Sequence, residues 1–260
     1  MAWIPGIKGV LCDVDGTLLA GDRAIPGGPR TLERFDAAGI VYRLTTNTTR
    51  RSRRAVADAL NEAGYRVSEE RVLNPAALAR SRILASGSRR AALLVAPGAE
   101  RDFDGVEAVD RDPDWVVLGD LGPAFDWDVM QRAFAWIRGG ARLLALQKNR
   151  YWDAGDGEMR IDAGAFVSGL EYSAGVEAEL AGKPSPHFFA EAVASLELPA
   201  VRVLVVGDDV STDGAGGARC GCKTATVRTG KFAPGQLEAI EFEPDLLVDS
   251  IADLGTNLFS

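Results

Sequence analysis

Two aspartates near the amino end of the sequence have the residue type and spacing of a catalytic pair. Asp13 and Asp15 follow the apolar residues 10–12 and precede Gly16. An apolar run that ends in carboxylates and a glycine is typical of a buried strand leading into a turn, where residues two apart point the same way. One carboxylate can act as a nucleophile while the other transfers protons. A solvated Asp-rich turn is the alternative interpretation.

A second group of aspartates follows another apolar run late in the chain. Residues 201–207 are typical of a buried parallel strand, and Asp208, Asp209 and Asp213 come after it. Ligands bind at the carboxyl ends of the strands in an open α/β sheet. Two acidic strand ends in one chain therefore suit a hard divalent cation. Carboxylates that cap the following helix are the alternative.

Polar residues at two further positions could bind an anion. Thr46 and Asn47 follow the predicted strand 40–44, where hydroxyl and backbone N–H groups suit the oxygens of a phosphate. A helix N-cap also favours Thr and Asn, and both roles are compatible. Lys183 stands in a Gly-Lys-Pro sequence ahead of a predicted helix, so its backbone is held in position, although a lone lysine is more often a surface residue.

Four arginines follow the Thr-Asn pair, at positions 50, 51, 53 and 54. We expect them to open a helix that ends at about residue 63. Cations in a first helical turn oppose the helix dipole, so local stability does not explain them. A solvated face and a surface that guides anions both remain open.

The histidine and cysteine content excludes several site types. The chain has a single histidine, His187, and three cysteines. Triads built on histidine and His-rich zinc sites are therefore poor candidates, which leaves acid–base chemistry to carboxylates. Three cysteines form no disulfide framework, which favours a reducing cytosol. Cys220 and Cys222 lack the further thiols that a metal site needs, and Cys12 is expected to be an apolar core residue.

Charge and hydropathy exclude further classes of protein. The formal net charge of −8 argues against a nucleic-acid or anionic-membrane surface. No apolar run is long enough to span a membrane, and the amino end lacks the pattern of a signal peptide. We therefore expect neither nucleic acid nor membrane as a partner.

The elements that must position these residues alternate between strands and helices. From about residue 91 the pattern restarts, which predicts a second, smaller α/β domain. A polar and aromatic loop, 147–152, follows one of its strands, and loops there commonly select substrates. An exposed hairpin is the alternative. The candidate specificity residues are Lys148, Asn149, Arg150 and Tyr151.

The order of these motifs resembles the haloacid dehalogenase superfamily of phosphotransferases. The shared elements are the DxDGT string at 13–17, Thr46-Asn47, Lys183, and the acidic group that ends at Asp213. The resemblance covers essentially the whole chain. It implies an α/β fold with a doubly wound, Rossmann-like parallel-sheet core and an inserted α/β cap of the C2 type, as in subfamily IIA. The implied boundaries are 1–76 and 180–260 for the core and 77–179 for the cap.

One departure from the superfamily pattern lies at Ser211-Thr212, where relatives tend to be more acidic. The spacing of Asp213 is preserved, so the metal interpretation is unaffected.

The resemblance also implies residue roles. Asp13 attacks phosphorus to form an aspartyl phosphate, and Asp15 protonates the leaving oxygen and later accepts a proton from water. Thr46, Asn47 and Lys183 bind the phosphoryl oxygens. The implied ligands of Mg²⁺ are Asp13, the backbone carbonyl of Asp15, Asp208 and Asp213.

Two functional hypotheses follow from the sequence. The first is a cytoplasmic Mg²⁺-dependent phosphatase that hydrolyses a small phosphorylated metabolite. The alternative is a phosphate-binding or regulatory module that is phosphorylated on Asp13 with little turnover. Relatives commonly pair through their caps, so the resemblance is compatible with a homodimer through the cap but does not settle the oligomeric state. The sequence does not select a substrate among the many phosphate esters.

Overall fold

A computed structural model describes residues 4–153 and 158–257. The first three residues, on which the expectation about a signal peptide partly depends, lie outside this range. The described residues form two compact units. The first contains the residues up to Thr46, Arg53–Leu73 and the residues from Lys183 onward, and the second contains Asn47–Ser52 and Asn74–Gly182. No helix in the described part is long and apolar enough to cross a membrane.

The first unit is built on a six-stranded parallel sheet. Its strands, in spatial order, are Leu246–Val248, Lys223–Val227, Val203–Gly207, Gly9–Asp13, Val41–Thr45 and Val72–Leu73. Its helices are Gly28–Ala37, Arg53–Glu62, Pro186–Ala194, the π-helix Val210–Gly214, Ala215–Arg219, Gly235–Ala239 and Ile251–Asn257. The two central strands are buried at every residue, as expected for a sheet covered on both faces.

The register of this sheet aligns the acidic strand ends. Cys12 pairs with Val206 on the neighbouring strand, and Asp13 pairs with Thr45 on the other side. Parallel strands end at the same edge of a sheet, so Asp13 and Asp208 emerge side by side.

The second unit is built on a five-stranded parallel sheet. Its strands, in spatial order, are Glu179–Leu180, Arg142–Ala145, Trp115–Leu118, Arg90–Leu94 and Glu107–Ala108. Its helices are Pro75–Ala85, Trp127–Arg138 and Ala163–Ala174, and a two-stranded antiparallel hairpin joins Tyr151–Asp153 to Met159–Ile161. The predicted α/β fold with parallel sheets is confirmed.

The helix boundaries match the sequence signals except at one end. Asn74 caps the helix Pro75–Ala85 by accepting a hydrogen bond from Ala77 N at 2.9 Å. The arginine-rich helix begins at Arg53, so the expectation that Arg50 and Arg51 lie in its first turn is wrong. These two residues precede the helix and belong to the second compact unit. The helix thus carries fewer cations against its dipole than the sequence suggested.

Candidate active site

Three buried aspartates converge at the edge of the six-stranded sheet. Asp13, Asp208 and Asp213 each offer a carboxylate oxygen within 4.8 Å of the others. All three are at most 5% exposed. Asp213 lies in the π-helix Val210–Gly214, immediately before the α-helix where the sequence placed it.

Lys183 provides the positive charge inside this group. Its Nζ lies 2.5 Å from Asp13 Oδ1 and 2.7 Å from Asp213 Oδ1, and the residue is 3% exposed. Asp13 and Lys183 are 170 positions apart in the chain. The lysine is therefore a buried partner of two carboxylates, and the alternative of a free surface lysine is wrong.

One ammonium group cannot balance three buried carboxylates. Burial raises the pKa of Asp13 to about 7, although Lys183 acts in the opposite direction. Burial and the charge of Asp13 raise the pKa of Asp208 to about 6, and burial also raises the pKa of Asp213. Burial alone would lower the pKa of Lys183, but the two carboxylates that contact it raise the value. Ionising all three acids would leave two uncompensated negative charges, which is unfavourable in a buried site.

The donor set therefore fits a divalent cation. Carboxylate oxygens are ligands that hard divalent cations prefer, and two positive charges would match the two negative charges that Lys183 leaves unbalanced. Ligation by the backbone carbonyl of Asp15 remains a prediction.

Two glycines let the backbone close around Asp208. Gly16 and Gly230 both have positive φ, +89° and +60°. A Cβ on Gly16 would lie 2.0 Å from Asp208 Oδ2, and one on Gly230 would lie 1.9 Å from the same atom. Since a side chain fits at neither position, the Asp208 carboxylate is enclosed by bare backbone.

The loop that carries Gly230 also contributes hydrogen bonds that sequence reasoning did not assign. Lys231 N donates to Asp208 Oδ2 at 2.6 Å, and the Thr229 hydroxyl donates to Gly16 O at 2.5 Å. The sequence Thr229-Gly230-Lys231 indicates a loop, but it does not show which carboxylate the loop approaches.

Asp15 differs from the other aspartates because it is exposed. Its Oδ2 accepts a hydrogen bond from the Thr46 hydroxyl at 3.0 Å, and Thr46 is itself fully buried. An exposed carboxylate beside a buried one suits proton exchange with water. Thr46 is thus placed beside Asp15.

The acidic neighbour Asp209 turns away from this cluster toward its own helix. Its carboxylate accepts hydrogen bonds from Ser211 N and Thr212 N, both at 3.0 Å. Burial would raise its pKa, but these bonds and the Ser211 hydroxyl lower it. Asp209 is therefore a helix cap, as the alternative interpretation of the acidic group proposed.

Asn47 and the predicted specificity loop belong to the second unit. Asn47 packs against Gly182, where a Cβ would lie 2.8 Å from its Oδ1. Lys148 Nζ forms an ion pair with Glu171 at 2.8 Å, and Asn149 N donates to Gln147 Oε1. The catalytic and binding roles of these residues remain predictions.

The rest of the loop leads into the hairpin that was the alternative interpretation. Arg150 O accepts from Asp162 N at 3.2 Å, and Tyr151 is 59% exposed at the hairpin start. The side chain of Trp152 lies outside the described part of the structure. The structure thus shows a loop tied to the following helix, and substrate selection by it stays a prediction.

Comparison with known proteins identifies the family. Residues 10–108 match the family model for haloacid dehalogenase-like hydrolases, and residues 180–254 match a HAD-hydrolase-like model. The phospholysine phosphohistidine inorganic pyrophosphate phosphatase of Mus musculus is 35% identical, over 97% of this chain and 95% of that protein. Human haloacid dehalogenase-like hydrolase domain-containing protein 2 is 33% identical, over 96% and 95%.

A solved structure supports the same assignment. The p-nitrophenyl phosphatase from Archaeoglobus fulgidus superimposes with a TM-score of 0.91 and 26% identity, covering 98% of this chain and all of that one. The sequence relatives cover nearly the full length of the chain, so the match is not confined to one unit. The chain therefore belongs to the haloacid dehalogenase-like hydrolases and is a phosphatase of subfamily IIA.

Proposed function

We propose that this phosphatase is Mg²⁺-dependent and hydrolyses a small phosphorylated metabolite through a covalent phosphate on Asp13. The observation that carries the proposal is the buried group of Asp13, Asp208 and Asp213 around the single charge of Lys183. Burying three carboxylates around one ammonium group is unfavourable, and a bound cation would reduce that cost. Buried acids whose pKa values are shifted in this way are commonly found at functional sites. The division into two compact units supports a core and a cap, for which we propose the bounds 1–76 with 180–260 and 77–179. The second unit differs from that cap because it also includes Asn47–Ser52 and begins at Asn74 and ends at Gly182.

The first chemical step transfers the phosphoryl group to the protein. An oxygen of Asp13 forms a bond to phosphorus while the bond from phosphorus to the leaving oxygen breaks. Asp15 accepts a hydrogen bond from the Thr46 hydroxyl. In its protonated form, the Asp15 carboxyl gives its proton to the leaving oxygen, so the product departs as an alcohol. The second step reverses these roles. Asp15 removes a proton from a water that attacks phosphorus, and the Asp13 carboxylate is released.

Positive charge in the site serves both steps. Asp13, Asp208, Asp213 and the backbone carbonyl of Asp15 would hold Mg²⁺, which supplies charge that offsets repulsion between the carboxylates and the phosphate dianion. Lys183 orients Asp13 through its 2.5 Å contact, and in this proposal Lys183, Thr46 and Asn47 bind the phosphoryl oxygens.

The substitution Asp13→Asn tests the proposal. It removes the nucleophile while keeping the shape of the side chain, so phosphate release from p-nitrophenyl phosphate should fall at least about 1,000-fold. Phosphate release with and without Mg²⁺ is the measurement, and urea unfolding checks that the variant is folded. Wild-type turnover in the substituted protein would remove Asp13 as the nucleophile.

The alternative, a regulatory module phosphorylated on Asp13, predicts a different time course. A stable covalent phosphate on the wild-type chain with little turnover would favour that module. Rapid release with no accumulated intermediate would favour the phosphatase. Mass spectrometry of acid-quenched protein distinguishes the two outcomes.

A further inference from the structure

The loop that follows the proposed nucleophile is closed by its own backbone. Leu18 N and Leu19 N both donate to Val14 O at 2.9 Å, and Gly16 N donates to Leu19 O at 2.7 Å. The carbonyl of Asp15 and the N–H of Gly16 belong to one planar peptide group. The bond from Gly16 N therefore fixes the peptide group that follows Asp15, although the Asp15 side chain is exposed.

A hydroxyl group from late in the chain holds this loop at residue 16. Thr229 Oγ1 donates to Gly16 O at 2.5 Å, across 213 positions of sequence. Phe232 N donates to Thr229 O at 3.2 Å, which closes a turn that contains Gly230. Gly230 has a φ of +60°, and a Cβ there would lie 2.6 Å from the Cα of Gly16. The bare backbone of this turn thus allows the Thr229 hydroxyl to approach the loop.

A second hydroxyl group holds the loop at residue 18. Tyr65 Oη donates to Leu18 O at 2.7 Å, across 47 positions of sequence. A Cβ on Gly28 would lie 2.2 Å from this hydroxyl oxygen, so the glycine leaves room for the tyrosine. Tyr65 is buried, and burial raises the pKa of its hydroxyl, which therefore stays protonated as a donor. Two side chains from distant segments thus fix neighbouring parts of one loop.

The contacts of Asp15 divide between its side chain and its main chain. The Thr46 hydroxyl restrains the carboxylate through its 3.0 Å hydrogen bond. The hydroxyls of Thr229 and Tyr65 restrain the main chain just after it. An exposed side chain gains little order from packing, so its position depends on the main chain that carries it.

We propose that Thr229 and Tyr65 are positioning residues for the proton transfers of Asp15. The proposal rests on the phosphatase function proposed above, and all of its residues belong to the first compact unit. A general acid must lie within hydrogen-bond reach of the leaving oxygen when the bond to phosphorus breaks. The two hydroxyls keep their own protons throughout, and the proton that reaches the leaving oxygen comes from Asp15.

Two variants that lose a hydroxyl but keep the shape of the side chain test the proposal. Thr229→Val and Tyr65→Phe are compared with the wild type on phenyl phosphate and p-nitrophenyl phosphate. Phenoxide is the more basic leaving group, so its departure depends more on proton donation. We expect kcat/KM to fall about tenfold for phenyl phosphate and less than about threefold for p-nitrophenyl phosphate. Equal losses for the two esters, or no loss for either, would overturn the proposal.

Two control variants remove hydroxyls that donate elsewhere in the same unit. Tyr42→Phe loses a bond to Asp36 Oδ2 at 3.3 Å. Thr31→Val loses bonds to Gly27 O at 3.1 Å and to Ile251 O at 3.3 Å. In both controls, the ratio of the two kcat/KM values should equal that of the wild type.

Combination with Asp15→Asn separates positioning from general damage to the fold. The asparagine has no proton to give, so in this background Thr229→Val should lower kcat/KM for phenyl phosphate less than about twofold. A full tenfold loss there would show that the hydroxyl does not act through Asp15. Thr229→Ser restores a hydroxyl donor and should return the ratio for the two esters to that of the wild type.

Hydrogen exchange tests the same contacts without any turnover. The amides of residues 14–19 should exchange about tenfold faster in Thr229→Val and in Tyr65→Phe than in the wild type, since local opening becomes easier. Tyr42→Phe and Thr31→Val should leave the exchange of these amides unchanged. Unchanged exchange in both test variants would overturn the proposal. Faster exchange in a protein whose wild type hydrolyses neither ester would instead count against the phosphatase function.

Discussion

The two parallel sheets of this protein share an architecture but differ in the chemistry at their strand ends. In the six-stranded sheet, the adjacent strands Gly9–Asp13 and Val203–Gly207 lead to Asp13 and Asp208. In the five-stranded sheet, the adjacent strands Trp115–Leu118 and Arg142–Ala145 lead to Gly119 and Leu146. Among the described residues, the acidic side chains close enough to share a cation are those of the first sheet. The capacity to bind a cation therefore depends on the residues at the strand ends and not on the sheet architecture itself.

Two lysine ion pairs, one in each unit, differ in burial. Lys183 and its carboxylate partners are buried, whereas Lys148 is 37% exposed beside Glu171. A buried charge depends on its partner, because water cannot replace the partner when it is removed. An exposed charge is solvated with or without its partner. The aspartate cluster of the first unit thus holds charge away from water, whereas other ion pairs of the same unit, such as Lys223 with Asp245, are exposed.

Replacing Lys183 and Lys148 in separate variants should show the largest difference in the free energy of unfolding. Lys183→Met leaves Asp13 and Asp213 uncompensated, so the metal-free protein should lose about 3 kcal/mol of unfolding free energy. Lys148→Met breaks an exposed pair and should cost less than about 1 kcal/mol. Urea unfolding at pH 8 in the presence of a chelator measures both. Equal losses would mean that burial does not distinguish the two sites.

Substitution of a glycine beside Asp208 should produce the next largest effect. Gly230→Ala places a methyl group 1.9 Å from Asp208 Oδ2 and 2.6 Å from the Cα of Gly16, so the carboxylate must move. We expect Mg²⁺ affinity to fall at least about tenfold, as for other losses of metal-ligand positioning.

The control for this variant is Gly21→Ala. Gly21 has a similar φ of +65°, but no atom lies within 4 Å of the position that a Cβ would take, so the variant has the same backbone strain without the collision. It should lose stability but keep its Mg²⁺ affinity, measured by calorimetry. A matching loss of affinity in both variants would attribute the effect to strain.

A change of pH should produce the smallest of these effects, a decrease in Mg²⁺ affinity. Because the pKa of Asp13 is raised to about 7 and that of Asp208 to about 6, both carboxyls gain protons as the pH falls from 8 to 6. A proton and a metal ion compete for the same oxygens, so Mg²⁺ affinity should decrease by about tenfold over this interval. Calorimetry in two buffers of different ionisation enthalpy measures both the affinity and the protons released. Equal affinities at pH 6 and pH 8 would show that neither carboxyl titrates there.

Local signals in the sequence predicted most elements of the fold. Apolar runs marked the strands before Asp13 and Asp208, which the structure has at Gly9–Asp13 and Val203–Gly207. The fold class followed from the alternation of these elements. The start of the arginine-rich helix was predicted too early, although Ser52, a residue type favoured at N-caps, stands directly before Arg53, where the helix begins.

Local sequence patterns were sufficient to predict which residue types reach the strand ends, because periodicity and capping depend on neighbours along the chain. Three other features required the folded structure: the contact of Lys183 with Asp13 across 170 positions, the enclosure of Asp208 by two glycines, and the stacking of Phe125 on Phe166. These contacts join segments that are distant in sequence, and their geometry is set by the packing of whole elements against one another.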